Sequence, residues 1–325
     1  MHRPAPAPVE HPDSTKEKSM SEAFTRRELL KSSTAAAAAA TLAASCQSNA
    51  GVVARPSAGT AAGSGGAPLP PLKLGLMSYN LAKDWDIDTI IKNCTETRFE
   101  HIELRTTHAH GVEVTMSQEQ RQAVRKRFED AGLKISLASA FAYHYPDAAR
   151  LRKEIEGTKE YVILARDVGA RGFRVFPNAL PGGKGIPEEQ TMRQMGKALA
   201  EVCPFAHEHG VKIALEVHGS GTNIVAKVKQ MIDYSECPYA YINWNCDAND
   251  VKGPGLDANF ASVKDRIANV HMHELHDNYP YRRLFELLRQ AGYQGYCDAE
   301  IAESKEPIRL MKYYRATFLA LQNVI

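Results

Sequence analysis

The chain has 325 residues, 44% of them hydrophobic and 24% charged, enough to bury a substantial core in a soluble globular protein of one or two domains. Residues 73–325 hold 33 Lys/Arg and 33 Asp/Glu, and such a neutral balance gives no electrostatic reason to bind DNA or RNA. The six cysteines form no C-x-x-C pair, which argues against both a disulfide framework and a thiolate zinc site. Buried free thiols are the expectation for Cys94, Cys203, Cys237, Cys246 and Cys297.

In chain order, the first 72 residues do not read as part of the globule. Thr25-Arg26-Arg27-Glu28-Leu29-Leu30-Lys31 resembles a twin-arginine export signal, and the following run from Ser32 to Ser45 is weakly apolar. That run is too short and too rich in alanine to span about 30 Å of hydrocarbon as a membrane helix. Ala43-Ala44-Ser45-Cys46 resembles a lipobox with Cys46 as the lipidated residue, plain cleavage after small residues being the alternative. Met20, six residues before the arginine pair, is an alternative start that gives a signal of more usual length. From Gln47 to Leu72 the chain is rich in Ala, Gly, Ser and Pro without apolar periodicity, as in a flexible tether. The expected organisation is a signal over 1–46, a linker over 47–72 and a catalytic domain over 73–325. The protein is then exported by the twin-arginine route, to the periplasm or to a lipid-anchored position on the membrane. That route carries folded proteins, so a metal can be loaded before export.

From Lys73 onward short strand-like runs alternate with amphipathic helical runs. The strand candidates are Lys73 to Ser78, Phe99 to Leu104, Lys134 to Ser139, Gly172 to Phe176, Val211 to Val217, Ala240 to Asn245, Ile267 to His273 and Tyr296 to Glu300. Between them, Ser117 with Gln120 reads as a capping box opening a helix through Val124 and Phe128 that ends at Gly132. Pro187 suits the first turn of a helix that stops near Gly210. Tyr281 to Ala291 ends at Gly292, and Glu306 to Leu321 forms a closing helix. Eight strands in about 250 residues predict an α/β protein, a single (β/α)8 TIM barrel. The runner-up, an open doubly wound sheet, lacks a Gly-x-Gly-x-x-Gly after the first strand.

Four potential metal ligands, Glu216, Asp247, His273 and Glu300, sit at or near strand ends with separations of 31, 26 and 27 residues. Each separation matches one strand-plus-helix repeat, so a barrel brings all four to one rim. His271 and His273 occupy alternate positions of one strand and face the same way; His273, nearer the strand end, is the preferred ligand. Three carboxylates and an imidazole suit one divalent ion, Mn²⁺, Mg²⁺ or Co²⁺, with Zn²⁺ also compatible. Such an ion holds the carbonyl and hydroxyl oxygens of a sugar, while Glu216 and Glu300 on opposite faces of the carbon exchange its proton. Secondary candidates for substrate hydroxyls are His108, His110, His144, Arg174, Asn178 and His218, with His144 and His218 foremost. Glu103 is either a sugar ligand or a partner for Arg105 or Arg174. His207 and His209 are expected to face solvent.

The segments Ile213-Ala214-Leu215-Glu216-Val217-His218, Asn243-Trp244-Asn245-Cys246-Asp247, Val270-His271-Met272-His273 and Gly292-Tyr293-Gln294-Gly295 leading to Glu300 look like the xylose-isomerase-like TIM-barrel superfamily of sugar phosphate isomerases and epimerases. The likeness runs over residues 73–325 and includes Ile102-Glu103-Leu104 and Met311-Lys312-Tyr313-Tyr314-Arg315. The resemblance implies that Glu216, Asp247, His273 and Glu300 bind metal and that the two glutamates form the acid/base pair. The chain departs from the ketose 3-epimerases at two positions that contact sugar in them. Asp250 stands where they carry histidine, and Tyr279 where they carry arginine, so a free ketose does not follow from the resemblance.

The leading expectation is a metal-dependent isomerase or epimerase acting on a small carbohydrate, a sugar or 3-keto-sugar. An exported address disfavours phosphorylated substrates. A lyase that eliminates from a 3-keto-glycoside begins with the same proton abstraction. An endonuclease on this barrel needs a richer ligand cluster and a basic face. A non-catalytic exported sugar-binding lipoprotein keeps the pocket without turnover, and metal-dependent turnover separates it from the enzyme.

Overall fold

The structure, a computed structural model, describes residues 69–325; the export signal, the lipobox and nearly all of the linker lie outside the described residues. Ten strands are present: β1 (Lys73–Met77), β2 (His101–Arg105), β3 (Lys134–Ala142), β4 (Gly172–Phe176), β5 (Asn178–Ala179), β6 (Lys212–Glu216), β7 (Gly219–Ser220), β8 (Ala240–Trp244), β9 (Ile267–Met272) and β10 (Tyr296–Ala299). The helices are α1 (Ile87–Thr97), α2 (Gln118–Asp130), α3 (Ala148–Val168), α4 (Glu188–Glu208), α5 (Val225–Tyr234), α6 (Leu256–Val263), α7 (Tyr281–Gln290) and α8 (Pro307–Leu321). Eight of the strands close into a parallel barrel in the order β1-β10-β9-β8-β6-β4-β3-β2, the fold expected from the strand and helix alternation. The short β5 and β7 pair outside the barrel and join the loops that follow β4 and β6.

Local chemistry sets these boundaries. Ser117 Oγ accepts from Gln120 N while the Gln120 side chain accepts from Ser117 N at 2.7 Å, so the capping box opens α2 as predicted. Pro187 is the residue before α4 rather than within its first turn. Strand ends fall within about two residues of the predicted ones, except that β3 continues to Ala142. The five cysteines of the domain are free and buried. No helix among the described residues is long and apolar enough to cross a membrane.

Two cores result. Between strands and helices the packing is apolar, with Leu76, Ile102, Leu104, Val175, Ile213, Leu215, Phe285 and Phe318 fully or almost fully enclosed. Inside the barrel it is polar. Residues alternate along a strand, so β2 sends His101, Glu103 and Arg105 inward and Ile102 and Leu104 outward. At the floor, Asp298 on β10 reaches across β1 to His101, with Oδ1 accepting from Nδ1 at 2.8 Å and Oδ2 accepting from Asn269 Nδ2 at 2.8 Å. Gly75 lies between them in register, and a Cβ there would stand 1.8 Å from Asp298 Oδ1. Only a residue without a side chain leaves that bond its path.

Candidate active site at the mouth of the barrel

Glu216 ends β6 and Glu300 follows β10, so both carboxylates stand at the C-terminal mouth, where loops can vary without disturbing the core. Both converge on His271 of β9. His271 Nδ1–H donates to Glu216 Oε1 at 2.7 Å and lies 3.4 Å from Glu300 Oε2, while Nε2–H donates to Glu103 Oε2 at 2.5 Å. Glu216 also accepts from Asn243 Nδ2 at 3.1 Å and has Arg174 Nε 3.6 Å from Oε2. One ligand atom from each of Glu216, His271 and Glu300 lies within 4.8 Å of the others. Glu103, His271 and Asp298 form a second such group below.

The electrostatics follow from burial and charge together. Burial alone would raise the Glu216 carboxyl, but Arg174 and His271 outweigh it and hold the group well below the carboxylate range. Burial opposes ionisation of Glu300 too, and the His271 hydrogen bond and charge bring it down. For His271, burial favours the neutral ring, yet Glu103 and Glu216 on its two nitrogens drive its pKa well above the ordinary histidine value. The result is an imidazolium clamped between acids.

The structure gathers part of the predicted ligand set. Glu216 and Glu300 meet; Asp247 and His273 join neither group. Asp247 Oδ1 accepts from Asn249 N at 2.7 Å and Oδ2 from Asn223 Nδ2 at 3.2 Å, in a turn made by Cys246 at φ +49°. His273 Nε2 donates to the Asn245 carbonyl at 2.9 Å. Because a carbonyl only accepts, that bond places a proton on Nε2 and turns Nδ1 away from it, the orientation in which a ligating histidine is commonly held. His273 also acts on Glu300 electrostatically, lowering its pKa.

Glu103 requires a correction. It pairs with neither Arg105 nor Arg174; it is 2% exposed beneath His271, with Ser136 Oγ donating to Oε1 at 3.2 Å. Its place one pleat repeat below Arg105 puts it a layer under the mouth. Arg174 is at the site, its Nη1 donating to Ser139 O at 2.7 Å and its guanidinium 4.1 Å from the Phe176 ring centre. His218 is exposed beside Glu216, whose pKa it helps to lower, with its ring against Phe176. His144 stands apart, lining a cavity of about 60 Å³ with Pro146, Ile186, Gln190, Thr191 and Gln194, and its Nδ1 has no partner. His110 secures a turn, Nε2 donating to Arg105 O at 2.7 Å and Nδ1 accepting from Val112 N. Asn178 lies in β5 at φ +69°. His207 is exposed against Tyr239, as expected for a solvent-facing residue, and His209 Nδ1 donates to Phe205 O.

The central role of His271 was missed in the sequence because its two partners come from β2 and β6. The H-x-H alternation was the available signal, and it pointed equally to His273. The two departures from the epimerase pattern turn out to be partners: Tyr279 OH donates to Asp250 Oδ2 at 2.8 Å and accepts from Trp244 Nε1 at 2.9 Å. Burial pushes Asp250 up to about 7, and its Oδ1 is left without a partner.

The donor set fits a divalent cation. Ligands about 2.1 Å from an octahedral ion lie no more than about 4.2 Å apart, and one ligand atom each of Glu216, His271 and Glu300 falls within 4.8 Å of the others, a slightly wider grouping of the oxygen and nitrogen donors such ions take. Asp247 and His273 follow β8 and β9 at the same end of the barrel.

Fold and site together define the class, and the sequence agrees: residues 91–317 match the xylose isomerase-like TIM barrel family, and the chain belongs to it. No curated protein matches the chain. Among solved structures it is similar to an L-ribulose 3-epimerase, at 19% identity, TM-score 0.65, over 78% of this chain and 95% of that one. It is also similar to the 3-keto-D-glucoside 4-epimerase YcjR from E. coli, at 16% identity, TM-score 0.61, over 78% and 99%. The zinc-bound IOLI protein is a further neighbour, at 14% identity, TM-score 0.64, over 77% and 98%. At these identities the likeness is one of fold.

Proposed function

We propose that the protein is a divalent-metal-dependent isomerase or epimerase of a sugar or keto-sugar. The observation that carries this reading is the convergence of Glu216 and Glu300 on one side of a barrel mouth, both ionised and within 4.8 Å of a shared imidazole. Glu216, Glu300, Asp247 and His273 would hold a divalent ion, which when bound would supply charge stabilisation for an oxygen beside the reacting carbon. Glu216 or Glu300 removes the proton from that carbon, and its counterpart returns one on the other face. Arg174 and His271 keep Glu216 deprotonated and fixed, and His218, exposed beside Glu216, would take a sugar hydroxyl. The names of the structural neighbours, sugar epimerases among them, support a carbohydrate substrate.

The test is metal content of the purified full chain together with deuterium exchange into sugars and 3-keto-glycosides in D₂O, followed by NMR. We expect one divalent ion per chain and exchange that stops after chelation and returns with metal. Metal-independent affinity for sugar without exchange would leave a binding protein instead. Exchange accompanied by loss of the glycosidic leaving group would identify elimination rather than epimerisation. We further propose twin-arginine export, for which Arg26→Lys with Arg27→Lys should retain the protein in the cytoplasm.

A further inference from the structure

Glu216, Glu300 and Asp247 stand on the side of the mouth made by β6, β8 and β10 and Arg105 on the side of β2, with Arg174 of β4 between them, its Nε 3.6 Å from Glu216 Oε2. Arg105 is the third inward residue of β2, above His101 and Glu103. Among the described residues its partners are weak: Nη1 reaches Thr106 O at 3.3 Å, Thr107 Oγ1 at 3.5 Å and His108 Nε2 at 3.5 Å, and no carboxylate pairs with it. Burial and then the neighbouring Arg174 guanidinium lower its pKa, against the pull of Tyr79 and Glu300. Arg174, 3% exposed, has an Nε with no hydrogen-bond partner.

Around Arg105 the loops form a frame. Its guanidinium carbon lies 5.4 Å from the centre of the Tyr79 ring, and Tyr79 is 42% exposed. His108 stacks on Tyr79 with centres 6.3 Å apart and has Nδ1 3.2 Å from Ser78 Oγ. Burial, followed by Arg105, takes the His108 pKa down to about 4, so its ring is neutral. Thr107, next but one to Arg105, holds φ at +69°, a left-handed conformation that is strained for a β-branched residue.

Two guanidiniums in one partly desolvated space repel each other, and a neutral hydroxyl does nothing to relieve that. An anion does, and a guanidinium fork matches the two oxygens of a carboxylate. A phosphate dianion would meet more repulsion from the nearby Glu300. We propose that Arg105, walled by Tyr79 and His108 and backed by Arg174, receives a carboxylate carried by the substrate, which is therefore a sugar acid. This inference rests on the reading of the site as a carbohydrate enzyme and adds the substrate class. The carboxylate end lies toward β2 and the reacting carbon toward Glu216 and Glu300, so charge alone orients the molecule.

The test is calorimetric titration of the full chain with D-glucuronate, D-galacturonate and D-gluconate, each beside its neutral partner, D-glucose, D-galactose or D-glucitol, and with D-glucose 6-phosphate. At least one acid should bind roughly tenfold or more tightly than its neutral partner, the scale of a charge-assisted hydrogen bond. Arg105→Gln should abolish that preference by weakening the acid far more than its neutral partner, and Arg105→Lys should retain part of it, which separates anion recognition from misfolding. A preference shown by the phosphate alone would overturn the carboxylate assignment. No acid outbinding its neutral partner, or equal weakening of acid and neutral sugar by Arg105→Gln, would overturn the anion site. Acid preference without proton exchange would sink the enzyme reading, and exchange without acid preference would sink only this inference.

Discussion

The floor and the mouth of this barrel both bury a histidine against carboxylates, yet they differ in how their bonds close. At the floor, Asp298 has both oxygens occupied by His101 and Asn269, and His101 stacks on Tyr296 with ring centres 4.3 Å apart. At the mouth, Arg174 Nε, Asn245 Oδ1 and Asp250 Oδ1 are buried without hydrogen-bond partners, Arg174 Nε keeping only its ion pair with Glu216 at 3.6 Å. A buried polar group left unmatched is unfavourable by roughly 1–3 kcal/mol, so a protein keeps several in one place only where something else completes them. The floor is closed on its own hydrogen bonds, whereas the mouth keeps polar groups for further contacts.

The sharpest way to test that division is to remove one carboxylate from each level. Glu300→Gln at the mouth should reduce proton exchange by roughly 10²–10⁴-fold with little change in the thermal midpoint, whereas Asp298→Asn at the floor should act mainly on stability. Equal losses of exchange in the two variants would erase the distinction.

His271 joins the two levels, and its removal should show how strongly. In His271→Ala, Glu103 and Glu216 remain buried without their shared cation, and denaturant unfolding should show a loss of about 3–5 kcal/mol. A loss below about 1 kcal/mol would mean that the clamp is not an ion pair.

Asp250 offers a pH-dependent comparison. Its folded pKa is raised to about 7 from an ordinary 3.8, so the folded state holds the proton more tightly than the unfolded chain. Stability contributed by this group is therefore present at low pH and lost as pH rises between about 4 and 7. Asp250→Asn should be more stable than the parent at pH 8, by up to roughly 4 kcal/mol, with the difference vanishing near pH 4. An effect that grows toward low pH would reverse the assignment.

The smallest expected effect is at Gly75. Gly75→Ala places a methyl group against Asp298 Oδ1, and displacing that carboxylate from His101 should lower stability by about 1–3 kcal/mol while leaving the mouth chemistry intact. Unchanged stability in Gly75→Ala would show that the floor tolerates a break that its closed bonds argue against.

What the sequence determined by itself was whatever is periodic or local. The eight buried strand runs, the capping box at Ser117 and the carboxylates placed at strand ends by repeats of about 30 residues all depend on neighbours close in the chain, and the barrel follows from them. Only the tertiary structure decided which inward side chains meet. Glu103 and His271 are 168 residues apart and Glu216 and His271 are 55 apart, so their contact depends on strand order and register across a closed barrel. For the same reason Glu103, read in sequence as a sugar ligand or a partner for Arg105 or Arg174, is paired with His271 instead of an arginine, and Arg105, unremarkable in sequence beyond its charge, emerged as a partly buried cation without a paired carboxylate. Alternation along a strand is written in sequence; the partner across the barrel is set by how all eight strands close.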